Sequence, residues 1–229
     1  MEFHKRIMEL EEKEVNEMAY KKEGEVKDLA EKLEKGELTP KEIIKILKER
    51  GIKERRHWSE VIGLIVWGVL CFLPAAAKFS NLEVLSFLVR LPTIKFPMSA
   101  VYLAIILSVF GSCMEVYAGY WRIKKGGLRS EDDTVVLIKT GPYGIVRHPD
   151  VGALTVNLIA ITVAVSKYVP FTILSVVGNI VLIVTIYYCV LVEERELSLK
   201  KWGDEYRQYM KEVPRFNFIK GLWNLRKKR

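Results

Sequence analysis

The segment 139–152 reads Lys-Thr-Gly-Pro-Tyr-Gly-Ile-Val-Arg-His-Pro-Asp-Val-Gly and holds residue types that could bind an anion. Pro149 disfavours helical backbone at the residue before it and suits the first turn of a helix, so we expect His148 at a helix N-cap. A helix N-terminus offers free N–H donors and a partial positive charge. Together with Arg147 and His148, this predicts a corner that receives an anionic group such as a carboxylate.

A second cluster, Glu193-Glu194-Arg195-Glu196, stands at the end of the last long apolar run. Carboxylates at a helix C-terminus oppose the helix dipole, so their charge has to be offset. A cationic or hydroxyl-rich ligand, or Arg147, could offset it. Neighbouring side chains point about 100° apart on a helix, so we expect one of Glu193 and Glu194 to face the site. The alternative for the pair is a solvated helix end.

Four apolar runs have to position these two clusters. They lie near residues 59–78, 98–120, 151–166 and 169–192. Each run approaches the roughly 20 residues that cross a bilayer, and aromatic residues flank the runs. The sequence therefore predicts an all-α, polytopic membrane domain over residues 56–229 with about four transmembrane helices.

Basic residues are distributed unevenly between the loops. The segment before the first run and the segments after each run contain 15, 3, 6, 1 and 11 Lys and Arg residues. The positive-inside rule then places both termini and the loop 121–150 in the cytoplasm. The tail 193–229 carries 11 basic and 6 acidic residues, most of the net charge of +8. We expect this tail to contact anionic headgroups rather than nucleic acid.

An amphipathic helix is predicted inside that tail, and Pro214 ends it. Its apolar positions include Trp202, Tyr206 and Tyr209. The pattern favours a helix on the membrane surface, which could also serve as a lid for the site.

The first 55 residues have a different character and predict a small soluble helical appendage. Residues 1–57 hold 15 basic and 15 acidic residues with sparse apolar positions. Thr39-Pro40-Lys41-Glu42 has the form of a capping box at a helix start. The appendage is expected to be a surface for self-association or for a protein partner.

The composition fits a chain that has an apolar membrane part and a strongly charged part that faces water. Half of the 229 residues are apolar and 28% are charged. Cys71, Cys113 and Cys189 all lie in apolar runs, so we expect neither a disulfide framework nor a metal site.

Taken together, the two clusters and the tail carry a pattern of residues in a defined order. Its members are Gly141-Pro142-Tyr143, Arg147-His148-Pro149, Gly152, Glu193-Glu194, Leu197, Gly203, Tyr206, Tyr209 and Val213-Pro214-Arg215. This pattern resembles the membrane methyltransferases, that is, the isoprenylcysteine carboxyl methyltransferases and the phospholipid methyltransferases. The resemblance covers roughly residues 98–220 and does not reach the N-terminal appendage.

The resemblance implies an integral membrane enzyme that binds S-adenosylmethionine in a cytoplasmic pocket, between the Arg-His-Pro segment and the Glu-Glu helix. The residues it places at the cofactor are Val135, Val136, Leu137, Ile138, Tyr143, His148, Pro149 and Glu194. Arg147, His148 and Glu193 are the catalytic candidates. The acceptor is expected to be a lipid-like or prenylated molecule that offers a carboxylate or an amine, with membrane lipids as neighbours.

Two other functions are open at this point. Membrane lipid and sterol reductases that use NADPH share a similar Arg-His-Pro motif, although they are usually longer and have more spans. A membrane interaction protein that displays the helices of residues 1–55 would need no catalytic cluster.

Overall fold

The computed structural model describes residues 24–49, 58–80, 85–128 and 133–227. The helices in these ranges are α1 (24–34), α2 (Pro40–Glu49), α3 (Trp58–Ser80), α4 (Ser86–Val89), α5 (Met98–Lys124), α6 (Pro149–Ala164), α7 (Ile173–Glu193), α8 (Leu199–Glu212) and α9 (Phe218–Lys227). A 3₁₀ turn covers Gly141–Gly144, and a π-helical turn, Glu194–Ser198, joins α7 to α8. The predicted all-α class is confirmed for the described residues.

In the part of the chain that the structure describes, three helical segments are long and apolar enough to cross a membrane. They are α3, α5 and the continuous stretch Ile173–Glu212 that begins with α7. The prediction of spanning helices is confirmed for these three by length and composition. The remaining apolar helix, α6, has 16 residues, a length of about 24 Å.

The chain divides into two compact units. We call Arg56–Ala118 with His148–Leu191 the apolar unit. We call the described residues of Met1–Arg55, Gly119–Arg147 and Val192–Arg229 the polar unit. Helices α5 and α7 both begin in the apolar unit and end in the polar unit.

Hydrogen bonds and small residues join the helices of the apolar unit. Trp67 on α3 donates its indole N–H to Asn179 Oδ1 on α7 at 3.0 Å, and Asn179 Nδ2 donates to Thr162 Oγ1 on α6 at 3.1 Å. Gly63 lies against the side chain of Thr185, where a Cβ atom would have no room. Close approach at small residues and polar bonds between helices are how helices associate in a bilayer.

The starts of α5 and α7 lie side by side in the apolar unit. An isolated antiparallel bridge pairs Thr93 with Thr172, and the N–H of Ile94 donates to the carbonyl of Phe171 at 2.8 Å. The rings of Phe96 and Phe171 meet edge to face with centroids 5.0 Å apart. This junction fixes the chain just before both helices.

The polar unit is built on a core that α1 and α2 share with α8. The buried apolar residues of this core are Val26, Leu29, Ile43, Leu47, Leu128, Val135, Trp202, Tyr206, Tyr209 and Val213. The apolar face of α8 is therefore buried in protein, and the interpretation of this helix as a membrane-surface helix is wrong. Its aromatic residues meet α1 and α2 because those short helices offer an apolar face of matching size.

The capping box predicted at Thr39 is confirmed. The N–H of Thr39 donates to Glu42 Oε2 at 2.8 Å, and the N–H of Glu42 donates to Thr39 Oγ1 at 3.4 Å. The Glu42 carboxylate accepts hydrogen bonds from the backbone N–H of Thr39 and, at 2.7 Å, from its hydroxyl, and these two bonds lower the pKa of the exposed Glu42 carboxyl. The ionised carboxylate thus holds the first turn of α2, which presents Ile43 and Leu47 to the core.

The capping box makes the start of α2 sensitive to acid. A carboxyl whose pKa is lowered by folding adds stability above its unfolded pKa, and that stability is lost as the pH falls through the folded pKa. We expect hydrogen-exchange protection of Ile43–Leu47 amides, corrected for intrinsic rates, to fall in acid. Glu42→Gln removes the titrating carboxylate, so it should lower the protection already at neutral pH and remove this pH dependence. An equal acid response in Glu42→Gln and the wild type would contradict this assignment.

Candidate functional site

The Gly-Pro-Tyr-Gly turn fixes the position of Tyr143 in the polar unit. Gly141 has φ +62° and lies against the indole of Trp121, so this position needs a residue without a Cβ atom. The Tyr143 hydroxyl accepts a hydrogen bond from Arg122 Nη1 at 3.2 Å. The backbone carbonyl of Tyr143 accepts a hydrogen bond from the Tyr209 hydroxyl at 2.6 Å. The buried residue is therefore held both at its backbone and at its hydroxyl.

A segment without regular secondary structure, 134–138, precedes this turn and is bonded to α8. Trp202 donates its indole N–H to the Val135 carbonyl at 3.0 Å, and Lys201 Nζ donates to the Thr134 carbonyl at 3.2 Å. The Thr134 hydroxyl accepts from the N–H of Leu128 at 3.0 Å. These bonds satisfy backbone groups that lie outside any helix or sheet.

The junction between α7 and α8 turns the acidic cluster inward. The π-helical turn buries Glu194, Leu197 and Ser198 together, and such turns occur often at functional sites. Farther on, Gly203 has φ +43°, which breaks the helical backbone directly after Trp202. The rings of Trp202 and Tyr206 stack with centroids 5.8 Å apart.

The centre of the site is a carboxylate between two guanidinium groups. Arg147 Nη2 lies 3.1 Å from Glu194 Oε1, and both side chains are almost fully buried, with 6% and 2% exposed. Arg215 Nε donates to Glu194 Oε2 at 3.0 Å, and its Nη2 reaches the same oxygen. The backbone N–H of Arg147 donates to the carbonyl of Pro214 at 3.0 Å. We call Arg147, Glu194 and Arg215 the arginine clamp.

Arg147 has donors that the clamp does not use. Its Nε and Nη1 atoms are buried and have no hydrogen-bond partner among the described residues. Buried donors of a charged group lower the stability of the fold when they have no hydrogen-bond partner. The geometry therefore favours an anionic ligand at Arg147.

A pocket that is lined in part by Arg147 opens within the polar unit. Its cavity volume is about 20 Å³, room for about one water molecule, and the space reaches about 300 Å³ when the open mouth is included. It is lined by Arg122, Thr134, Val136, Leu137, Ile138, Tyr143, Arg147, Trp202, Tyr206 and Tyr209. Four of these residues, Tyr143, Trp202, Tyr206 and Tyr209, are aromatic, and we call them the aromatic wall. The pocket therefore combines arginine side chains with aromatic ones.

Five of the predicted site residues line this one pocket: Val136, Leu137, Ile138, Tyr143 and Arg147. Val135 instead faces the core and offers its carbonyl to Trp202. Glu194 lies behind the pocket, bound to Arg147 and Arg215, so Arg147 is the group that offsets its charge.

His148 and Pro149 belong to the apolar unit, where they begin α6. The prediction that His148 is the N-cap residue and Pro149 the first helical residue is confirmed. His148 is fully buried. Their roles toward a cofactor or a substrate stay predictions.

Both Glu193 and Glu194 are buried, so the alternative of a solvated helix end does not hold for this pair. Glu193 ends α7 and the π-helical turn begins at Glu194. Which of the two faces a ligand stays a prediction. Sequence reasoning missed Arg122 as a pocket residue. Its place after Trp121 at the end of an apolar run signals only a membrane anchor.

Comparison of the chain with protein-family models, with curated proteins and with solved structures gave no match.

The arginine clamp is expected to contribute strongly to stability. Glu194→Gln removes the carboxylate that pairs with the buried Arg147 and the partly exposed Arg215, and removing one partner of a buried pair costs about 3–5 kcal/mol. We expect that loss in the free energy of unfolding, measured by denaturant titration in micelles. Glu196→Gln is the matched control, because this carboxylate is 60% exposed and its loss should cost under about 0.5 kcal/mol. Equal losses in the two variants would contradict the clamp.

The glycine of the turn gives a second prediction. Gly141→Ala and Gly126→Ala both place a Cβ atom on a residue with positive φ, at a cost of about 1–2 kcal/mol. At Gly126 the nearest atom to that Cβ is 4.0 Å away, whereas at Gly141 the Cβ would overlap Trp121. Gly141→Ala should therefore lose more unfolding free energy than Gly126→Ala. Equal costs would show that Trp121 does not constrain the turn.

Proposed function

We propose that this chain is an integral membrane methyltransferase that uses S-adenosylmethionine to methylate a lipid-like or prenylated acceptor at the cytoplasmic face. The observation that carries the proposal is the pair of unpartnered Arg147 donors in an aromatic pocket. The order of motifs that resembles the membrane methyltransferases supports it from the sequence.

S-adenosylmethionine has three chemical features that the pocket could meet. Its carboxylate would accept hydrogen bonds from Nε and Nη1 of Arg147. Its sulfonium cation would be attracted to the faces of aromatic rings such as Tyr206 and Trp202. Its adenine ring would find further stacking surface on the same wall. The backbone of Val136, Leu137 and Ile138 would supply hydrogen bonds to the polar edges.

Methyl transfer from this cofactor needs positioning more than strong acid–base catalysis. A lone pair of the acceptor forms a bond to the methyl carbon while the carbon–sulfur bond breaks, and sulfur keeps the electron pair. Holding the two reactants in line and excluding water lowers the barrier. A carboxylate acceptor is already ionised near neutral pH. An amine acceptor would give up a proton, for which buried Glu193 is our candidate base.

We further propose four spans with both termini in the cytoplasm. Residues 24–49, the end of α5 and the end of α7 all belong to the polar unit, and the starts of α5 and α7 meet at the Thr93–Thr172 bridge. Parallel α5 and α7 require α6 to return across the bilayer. The distribution of Lys and Arg supports the cytoplasm as the side of the polar unit.

Calorimetric titration of the purified full-length protein with S-adenosylhomocysteine tests the proposal. We expect micromolar binding to the wild type. Arg147→Lys keeps the charge but loses the two donors, so we expect its Kd to rise at least about tenfold, equivalent to about 1.4 kcal/mol. Arg215→Lys is the matched control, because Arg215 binds the same carboxylate but does not line the pocket.

Absence of binding in protein with a wild-type thermal transition would contradict the proposal. A parallel titration with NADPH distinguishes the reductase from the methyltransferase. Binding of NADPH without binding of S-adenosylhomocysteine would favour the reductase. Equal weakening by Arg147→Lys and Arg215→Lys would show that the clamp supports the fold without contacting the ligand.

A further inference from the structure

The C-terminal helix α9 exposes an apolar face. It begins at Phe218, and the side chain of Asn217 accepts a hydrogen bond from the N–H of Lys220 at 2.9 Å in the first turn. Its exposed apolar residues are Phe218, Ile219, Leu222 and Trp223, with exposed fractions between 45% and 82%. At 10 residues the helix is far too short to cross a bilayer, which takes roughly 20.

The opposite side of α9 is attached to the polar unit. Gly221 lies directly against the carbonyl of Ile145, where a Cβ atom would have no room. Asn224 Nδ2 donates to the carbonyl of Glu212 at 2.9 Å. These contacts fix which face of the helix is turned outward.

The outward face has the pattern of an interfacial helix. At about 100° per residue the four exposed apolar side chains fall within an arc of about 140°. Lys220 and Lys227 lie at one border of this arc, and Arg226 lies within it, where its long stem can reach outward. Residues 218–229 contain five basic residues and no acidic one. An apolar stripe bordered by Lys and Arg fits an anionic lipid surface.

We infer that α9 is an anchor that lies on an anionic lipid surface, with Phe218, Ile219, Leu222 and Trp223 inserted between headgroups. Three helices among the described residues are suited to a bilayer by length and composition, which brings a lipid surface within reach of this unit. The sequence analysis predicted a surface helix only for α8, whose apolar face is buried in the core, whereas the apolar face of α9 is exposed. This inference does not depend on the methyltransferase proposal.

Spin-label accessibility in nanodiscs holding one full-length chain tests the inference. Ile219→Cys is labelled in a chain whose three natural cysteines are replaced, after its thermal transition is shown to match the wild type. Gln208→Cys, on the exposed face of α8, is the control. Nanodiscs contain phosphatidylcholine alone or phosphatidylcholine with phosphatidylglycerol.

With phosphatidylglycerol, we expect the label at 219 to become more accessible to oxygen and less accessible to a water-soluble relaxation agent, while the label at 208 stays in water. Replacing Lys220, Arg226 and Lys227 with Gln should return the label at 219 to its behaviour in neutral nanodiscs. A label at 219 that stays in water in both lipids would overturn the inference. So would a label whose environment is unaffected by lipid charge, or one shielded from both reagents, as under a protein partner.

Discussion

A carboxylate that is removed from water and held by two guanidinium groups is the interaction on which the polar unit depends. Glu194 comes from the π-helical turn after α7, Arg147 from the segment after the Gly-Pro-Tyr-Gly turn, and Arg215 from the chain between α8 and α9. One carboxylate therefore ties three separate parts of the chain to one point. Burying these charges is costly, and the cost is offset only when every partner is in place. That requirement makes the local geometry specific.

The clamp also determines which donors of Arg147 remain for the ligand that we propose. Glu194 occupies Nη2 of Arg147, which leaves Nε and Nη1 buried and without a hydrogen-bond partner among the described residues. The aromatic wall is supported from behind, because Trp202, Tyr206 and Tyr209 pack against α1 and α2. The N-terminal helices thus contribute to the shape of the site without lining it. A change in the packing of α1 and α2 would move these rings and thereby change the shape of the pocket.

The sequence predicted those features that follow from local rules. The helix start at Pro149, the capping box at Thr39 and three long apolar helices each depend on a few neighbouring residues, and all are found. The sequence also indicated that Arg147 could offset the negative charge of the acidic cluster. It did not predict the docking of α1 and α2 on α8, because the apolar face of α8 is equally suited to lipid and to protein. Nor did it predict Arg122 in the pocket, since that placement depends on the packing of Tyr143.

The most direct test of the account is an experimental structure of the full-length protein with S-adenosylhomocysteine bound. The account predicts the ligand carboxylate about 3 Å from Nε and Nη1 of Arg147, the adenine on the aromatic wall, and Glu194 still bound to Arg147 and Arg215. A ligand bound elsewhere, or an Arg147 whose side chain has left Glu194 and points away from the ligand, would contradict it.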